Sequence, residues 1–186
     1  MIRILLWAAA LLSAPAALAS PDAAWQALAT GGGVALVRHA TAPGIGDPPG
    51  FRVDDCTTQR NLSDAGRDEA RRLGEGFRRR AIVVERVLSS RWCRSLETAR
   101  GAFGETVVAE PALDSFFADR SGADRQTAAV RAIIAARPPG SALVLVTHDV
   151  NIRALSGVSA RSGEVVVVRP DGDRLVVVGR IPPEAP

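Results

Sequence analysis

The feature that most constrains the fold is a repeating order of elements: a short β-branched apolar run, a stretch with helical spacing, then another apolar run. Residues 34–37 and 143–146 read as strands of continuous apolar residues, and Val83, Val84, Val87 and Leu88 form another strand. Strands of that kind belong inside a sheet covered on both sides. The order predicts an α/β fold, a three-layer sandwich with a mostly parallel central sheet flanked by helices.

The intervening segments support that architecture. Ser63 is placed to cap a helix that stacks Leu62, Gly66, Ala70, Leu73 and Phe77 along one face and ends near Arg80. Further helices are expected over residues 94–103 and 127–137, with a short third strand over 106–109 and an irregular segment over 110–124. Two apolar runs, 165–168 and 175–178, surround Asp171-Gly172 and predict a C-terminal β-hairpin.

Residues 1–19 are expected to lie outside this domain, as an export signal. Met1-Ile2-Arg3 supplies a positive start, residues 4–12 an apolar core, and residues 13–19 a small-residue cleavage region of A-x-A type. The apolar run is too short for a stable membrane anchor, and no cysteine follows the cleavage point to carry a lipid. One domain over residues 20–186 is expected, periplasmic or secreted after cleavage. Nothing in the sequence specifies an oligomeric state.

Charge argues against a nucleic-acid partner. All 23 basic residues of the chain are arginines, and loss of Arg3 with the signal leaves 22 against 20 carboxylates, a net charge of +2. The densest run, Arg78-Arg79-Arg80, closes a helix, where cations suit the dipole and solvent.

The chemistry is concentrated at strand ends. The chain has only two histidines, and both His39 and His148 directly follow predicted parallel strands, the sheet edge at which α/β folds bind ligands. Arg38 precedes His39, and Arg94 follows the second strand at the start of a helix, where anions are favoured. A neutral imidazole is a nucleophile toward phosphorus, and converging arginines hold phosphoryl oxygens. No metal-ligand spacing such as C-x-x-C is present, and no metal or other cofactor is expected.

These residues resemble the motifs of the histidine phosphatase (phosphoglycerate mutase-like) superfamily. Arg38-His39-Ala40 is similar to its R-H-G signature, Ser90-x-x-x-Arg94-x-x-x-Thr98-Ala99 to its second motif, Leu145-Val-Thr-His148 to the segment with its second histidine, and Leu62-x-x-x-Gly66-x-x-x-Ala70 to the stretch between the first two. The resemblance covers most of residues 20–186. It implies a metal-independent phosphomonoesterase in which His39 attacks the phosphoryl group while Arg38, Arg94 and His148 hold it. Its alternative is a degenerate module that binds a phosphate or sugar phosphate without cleaving it.

Two positions depart from the family pattern. Ala40 stands where the signature has glycine, and residues 113–120 contain no glutamate to match the usual proton donor. Asp119 in that loop is the expected general acid; Asp149, directly after the second histidine as in the acid-phosphatase branch, is the alternative. Among members the likeness is nearest to small exported ones such as the lipopolysaccharide core heptose phosphatase, which implies a small-molecule phosphate ester, an envelope sugar phosphate among the possibilities.

The two cysteines do not make a thiol phosphatase. Arginine would have to stand six positions after Cys93, where Ala99 lies instead, and no glycine loosens the interval. In an oxidising compartment a Cys56–Cys93 disulfide, closing a loop of 36 intervening residues, is expected in preference to two free thiols.

Overall fold

The computed structural model describes residues 20–184. The signal segment expected over residues 1–19 lies outside the described residues. Six strands form one sheet: β1 (Val34–Arg38), β2 (Val84–Ser89), β3 (Val108–Ala109), β4 (Ala142–Thr147), β5 (Val165–Asp171) and β6 (Arg174–Ile181). Their spatial order is β3-β2-β4-β1-β5-β6. The first four are mutually parallel, whereas β5 runs antiparallel to β1 and forms the predicted hairpin with β6.

Five helices cover the two faces: α1 (Pro21–Ala29), α2 (Asp64–Arg79), α3 (Cys93–Phe103), α4 (Ala123–Ala135) and α5 (Asp149–Ser156). The side chains of β1 and β4 alternate between the faces as the pleat requires. Ala35, Val37, Val144 and Val146 pack with Trp25, Leu28, Leu73, Phe77 and Ala102 of α1, α2 and α3. Val34, Leu36, Leu143 and Leu145 pack with Val130, Ile134, Ile152 and Leu155 of α4 and α5. All eight strand residues are at most 4% exposed, which is why the sequence shows no polar alternation there.

Several boundaries differ from expectation for local reasons. α4 begins at Ala123 rather than 127, with Gly122 as its N-cap residue and Asp124 in its first turn. β3 contains two residues, and Val108 remains 58% exposed because β3 is an edge strand paired only with β2. α1 and α5 were not anticipated. α1 nevertheless carries local signals, since Ser20 accepts a hydrogen bond from Ala23 N as its cap and Pro21 occupies the first helical turn. α5 has only eight residues, too few for its spacing to stand out.

The register of the parallel strands determines what reaches the sheet edge. Arg38 lies opposite Thr147, and Ser89 opposite Val146. His39, His148 and Ser90 therefore leave three neighbouring strands at one level, held by His39 N donating to Thr147 O at 3.0 Å and Ser90 N to Val146 O at 2.9 Å.

α2 is pressed against this edge through its glycines. A Cβ at Gly66 would stand 2.2 Å from Thr41 O, and one at Gly74 would stand 2.0 Å from Ala102 O in α3. Backbone rather than flexible side chain occupies both places, so neither helix can yield without moving as a whole. Gly74→Ala should destabilise the fold by about 1–3 kcal/mol despite alanine's better helix propensity. Chemical denaturation tests this, and an unchanged or raised midpoint would mean that α2 and α3 pack less closely than described.

Candidate active site

Each motif residue has an identifiable anchor. Thr98 donates its hydroxyl to Arg94 O at 2.7 Å and accepts from Ala40 N at 3.0 Å, which ties the first turn of α3 to the residue after His39. That contact accounts for the spacing of Arg94 and Thr98, one helical turn apart on one face. The next residue, Thr41, is held by Glu69 of α2, with its amide at 2.9 Å and its hydroxyl at 2.8 Å from the carboxylate. The loop leaving β1 is thus fixed by two helices.

His39 and His148 face one another, ring centroids 5.4 Å apart, and both are nearly fully buried. The Nδ1 of His39 lies 2.8 Å from Ala40 O. A carbonyl only accepts, so Nδ1 carries the proton and Nε2 keeps the lone pair. Burial lowers the His39 pKa; the Ala40 hydrogen bond opposes it, and Arg94, Arg38 and Arg60 lower it further, leaving a value of about 3. Burial likewise places His148 well below its ordinary value, assisted by His39 and the same arginines. Both imidazoles are neutral at neutral pH.

Four of the expected site residues line one cavity of about 340 Å³: Arg38, His39, Arg94 and His148. Asp149 lines it too, with Oδ1 accepting from Ala160 N at 2.7 Å. Asp119 does not join them. It is solvent-exposed, does not line the cavity, and accepts a hydrogen bond from Ser121 N at 2.9 Å, which holds its carboxyl below the usual range. A larger cleft of about 680 Å³, beside the disulfide and bordered by Arg67, Arg71 and Glu97, contains neither histidine.

Sequence reasoning missed two residues of the cavity, Asp47 and Arg60. Arg94 makes a two-pronged ion pair with Asp47, Nη1 to Oδ1 at 2.7 Å and Nη2 to Oδ2 at 3.1 Å, with both side chains at most 7% exposed. Trp92 Nε1 and Arg60 N complete the coordination of that carboxylate at 3.0 and 3.1 Å. Burial raises the Asp47 pKa, but Arg94 with these other donors outweighs it and the carboxyl titrates below its usual range. Arg60 is held by the carbonyls of Gly46 and Ala42. Neither residue has a motif, and Arg60 is one of 23 arginines; only its place just before the Leu62 helix entry hinted at proximity.

The cationic set has spare donors. Arg38 gives Nη1 to Ala160 O at 2.7 Å, yet the Nε atoms of Arg38 and Arg94 are buried without a hydrogen-bond partner. Buried guanidinium N–H groups without acceptors are costly, and these two are closed off from solvent. Among the described residues no three His, Cys, Asp or Glu side chains are grouped as a metal ion would require.

Cys56 and Cys93 are bridged, with Cα atoms 5.6 Å apart. The bridge joins the loop after β1 to the first residue of α3, beside Arg94, and Gln59 reinforces it by accepting from Cys93 N at 3.0 Å. In the chain-entropy model a closure of this size contributes about 3–4 kcal/mol. No helix among the described residues is long and apolar enough to cross a membrane.

The two neutral histidines impose a pH dependence on stability. Their folded pKa values lie below the unfolded value of about 6.5, so as pH falls below 6.5 the unfolded chain binds protons that the folded chain refuses. Stability should fall by about 1.4 kcal/mol per pH unit for each histidine. Thermal melts between pH 7 and pH 5, before carboxylates titrate, should show a declining Tm, with a shallower slope in His39→Asn; a flat profile would contradict the burial of both rings.

No protein-family model matches the sequence, and no curated protein matches it. Solved structures do resemble the fold. A protein histidine phosphatase SixA complexed with tungstate superposes with a TM-score of 0.59 at 16% identity, over 81% of this chain and 97% of that one. A mycobacterial glucosyl-3-phosphoglycerate phosphatase with inorganic phosphate gives 0.61 at 16% identity, over 83% and 99%. A phosphohistidine phosphatase SixA described from Agrobacterium tumefaciens gives 0.54 at 22% identity, over 81% and 97%. At these identities the likeness establishes a common architecture: this chain has the α/β fold of those phosphatases.

Proposed function

We propose that the chain is a metal-independent phosphomonoesterase that acts through a phosphohistidine on an exported or envelope phosphate ester. The observation that carries this reading is His39 itself: a buried, neutral imidazole with Nδ1–H committed to Ala40 O and Nε2 left as a lone pair in an arginine-lined cavity. Similarity of fold to structures described as phosphatases, one with phosphate and one with tungstate, supports it.

In this mechanism Nε2 attacks phosphorus in line, the N–P bond forms, and the P–O bond to the alcohol breaks. Arg38 and Arg94, which line the cavity beside His39, offset the charge that develops on the equatorial oxygens. His148 contributes through a fixed tautomer. Ser90 Oγ donates to Asp114 Oδ1 at 3.3 Å and so accepts at 2.9 Å from His148 Nε2–H, which holds the ring facing His39. Asp149 is the acid that protonates the departing oxygen, since it lines the same cavity as His39 whereas Asp119 accepts from Ser121 N. Water, losing a proton to the Asp149 carboxylate, then attacks the phosphohistidine; the N–P bond breaks, inorganic phosphate leaves, and neutral His39 and protonated Asp149 are restored.

Hydrolysis of p-nitrophenyl phosphate in the presence of EDTA tests the reading. Turnover is expected in the wild type and a loss of at least about a thousandfold in His39→Ala, as removal of a nucleophile typically costs. Phosphate-dependent thermal stabilisation without turnover would overturn the enzyme in favour of a binding module. Asp47 supplies a second test. Its buried negative charge opposes an incoming anion, so Asp47→Asn should tighten inorganic phosphate binding by roughly three- to tenfold in calorimetry; weaker binding would mean that the carboxylate chiefly orients Arg94.

A further inference from the structure

The cavity is divided by polarity. At its base lie His39, Arg94 and His148, each at most 4% exposed. At its mouth are Ile45, 92% exposed, and Phe117, 53% exposed, two of the five large apolar side chains that the described residues present to solvent. Phe51, Trp92 and Val150 line the space with them. A Cβ placed on Gly46 would lie 3.9 Å from Phe117 Cε1, so the loop after β1 and the loop before α4 approach one another here.

Several polar groups near this mouth already have partners. Asp47 is bound by Arg94, Trp92 and Arg60; Gly46 O accepts from Arg60 Nε at 2.7 Å; Ser115 Oγ accepts from Phe117 N at 3.3 Å; Asp149 Oδ1 accepts from Ala160 N. A polyhydroxylated leaving group needs several directional partners, and leaving its hydroxyls unpaired in such a site costs affinity. An apolar group needs none, and gains by covering Ile45 and Phe117, whose exposure is otherwise unfavourable.

Resting on the phosphatase reading, we infer that the ester taken by this site is an amphiphilic phosphomonoester, one that carries an alkyl or aryl group directly beyond its phosphate. The phosphate occupies the arginine-lined base and the apolar group lies between Ile45, Phe51 and Phe117. This directs the substrate class away from the sugar phosphates that the sequence resemblance suggested.

The test is competition against p-nitrophenyl phosphate hydrolysis by ethyl, butyl and hexyl monophosphate and by glucose 6-phosphate. All four are monoesters of primary alcohols with the same charge, so differences report contacts beyond the phosphate. Inhibition constants should fall about threefold per methylene, as expected when a CH₂ group is largely removed from water. In the Ile45→Ser/Phe117→Ser double variant the ratio between ethyl and hexyl phosphate should collapse toward one.

A flat chain-length series in the wild type, or glucose 6-phosphate inhibiting more strongly than hexyl phosphate, overturns the inference. Failure of the catalytic reading is distinguishable, because it shows as no turnover of the reporter. Thermal stabilisation by the same four monophosphates then ranks them without catalysis, and the same order is expected.

Discussion

The parallel pairing of β1 with β4 is the constraint on which the site depends. It sets Arg38 opposite Thr147, so that the two chain segments leave the sheet together and His39 and His148 come face to face. A slip of one residue would send the side chains of β1 to the wrong faces, placing Ala35 and Val37 where Val34 and Leu36 now pack. The cost of that slip is carried by both layers of the core. Site geometry is therefore specified by apolar packing that has no chemical role of its own.

A second requirement is electrostatic. Three guanidiniums converge on two neutral imidazoles, an arrangement that burial alone would make unfavourable. Asp47 answers part of it by neutralising Arg94, and backbone carbonyls of Ala160, Gly46 and Ala42 satisfy donors of Arg38 and Arg60. The unpaired Nε atoms of Arg38 and Arg94 remain. Guanidiniums fixed in place before an anion arrives need not be rearranged when charge develops, which is what a site for a transient anion requires.

What was legible in the sequence follows from where information is local. The apolar strands, the Ser63 cap, the hairpin around Asp171-Gly172 and the pairing of Cys56 with Cys93 are all found where expected, in some cases with a shift of one to four residues at element ends. Arg38, His39, Arg94 and His148 were legible because each immediately follows or ends a strand, or opens a helix. Asp47 and Arg60 were not, because they sit in the loop between β1 and α2, whose path is set by tertiary contacts. Asp119, expected in the site, instead accepts from the Ser121 amide two residues on, a local bond that the sequence does not reveal.

That loop between β1 and α2 carries unlike burdens. It holds Ile45 in solvent while burying Asp47 two residues later against Arg94. So abrupt a change of environment requires a rigid path, and three separate restraints provide it. The disulfide fixes Cys56 to α3, Gln59 spans from Cys93 N to the carbonyls of Arg52 and Val53, and Arg60 clasps Gly46 and Ala42. A loop restrained at its far end by α3 and at its near end by Glu69 of α2 cannot drift relative to Arg94 without disturbing both helices. The same restraints that hold the carboxylate on the arginine thus hold the apolar tip over the cavity, and the phosphate grip and the surface beyond it are set as one unit.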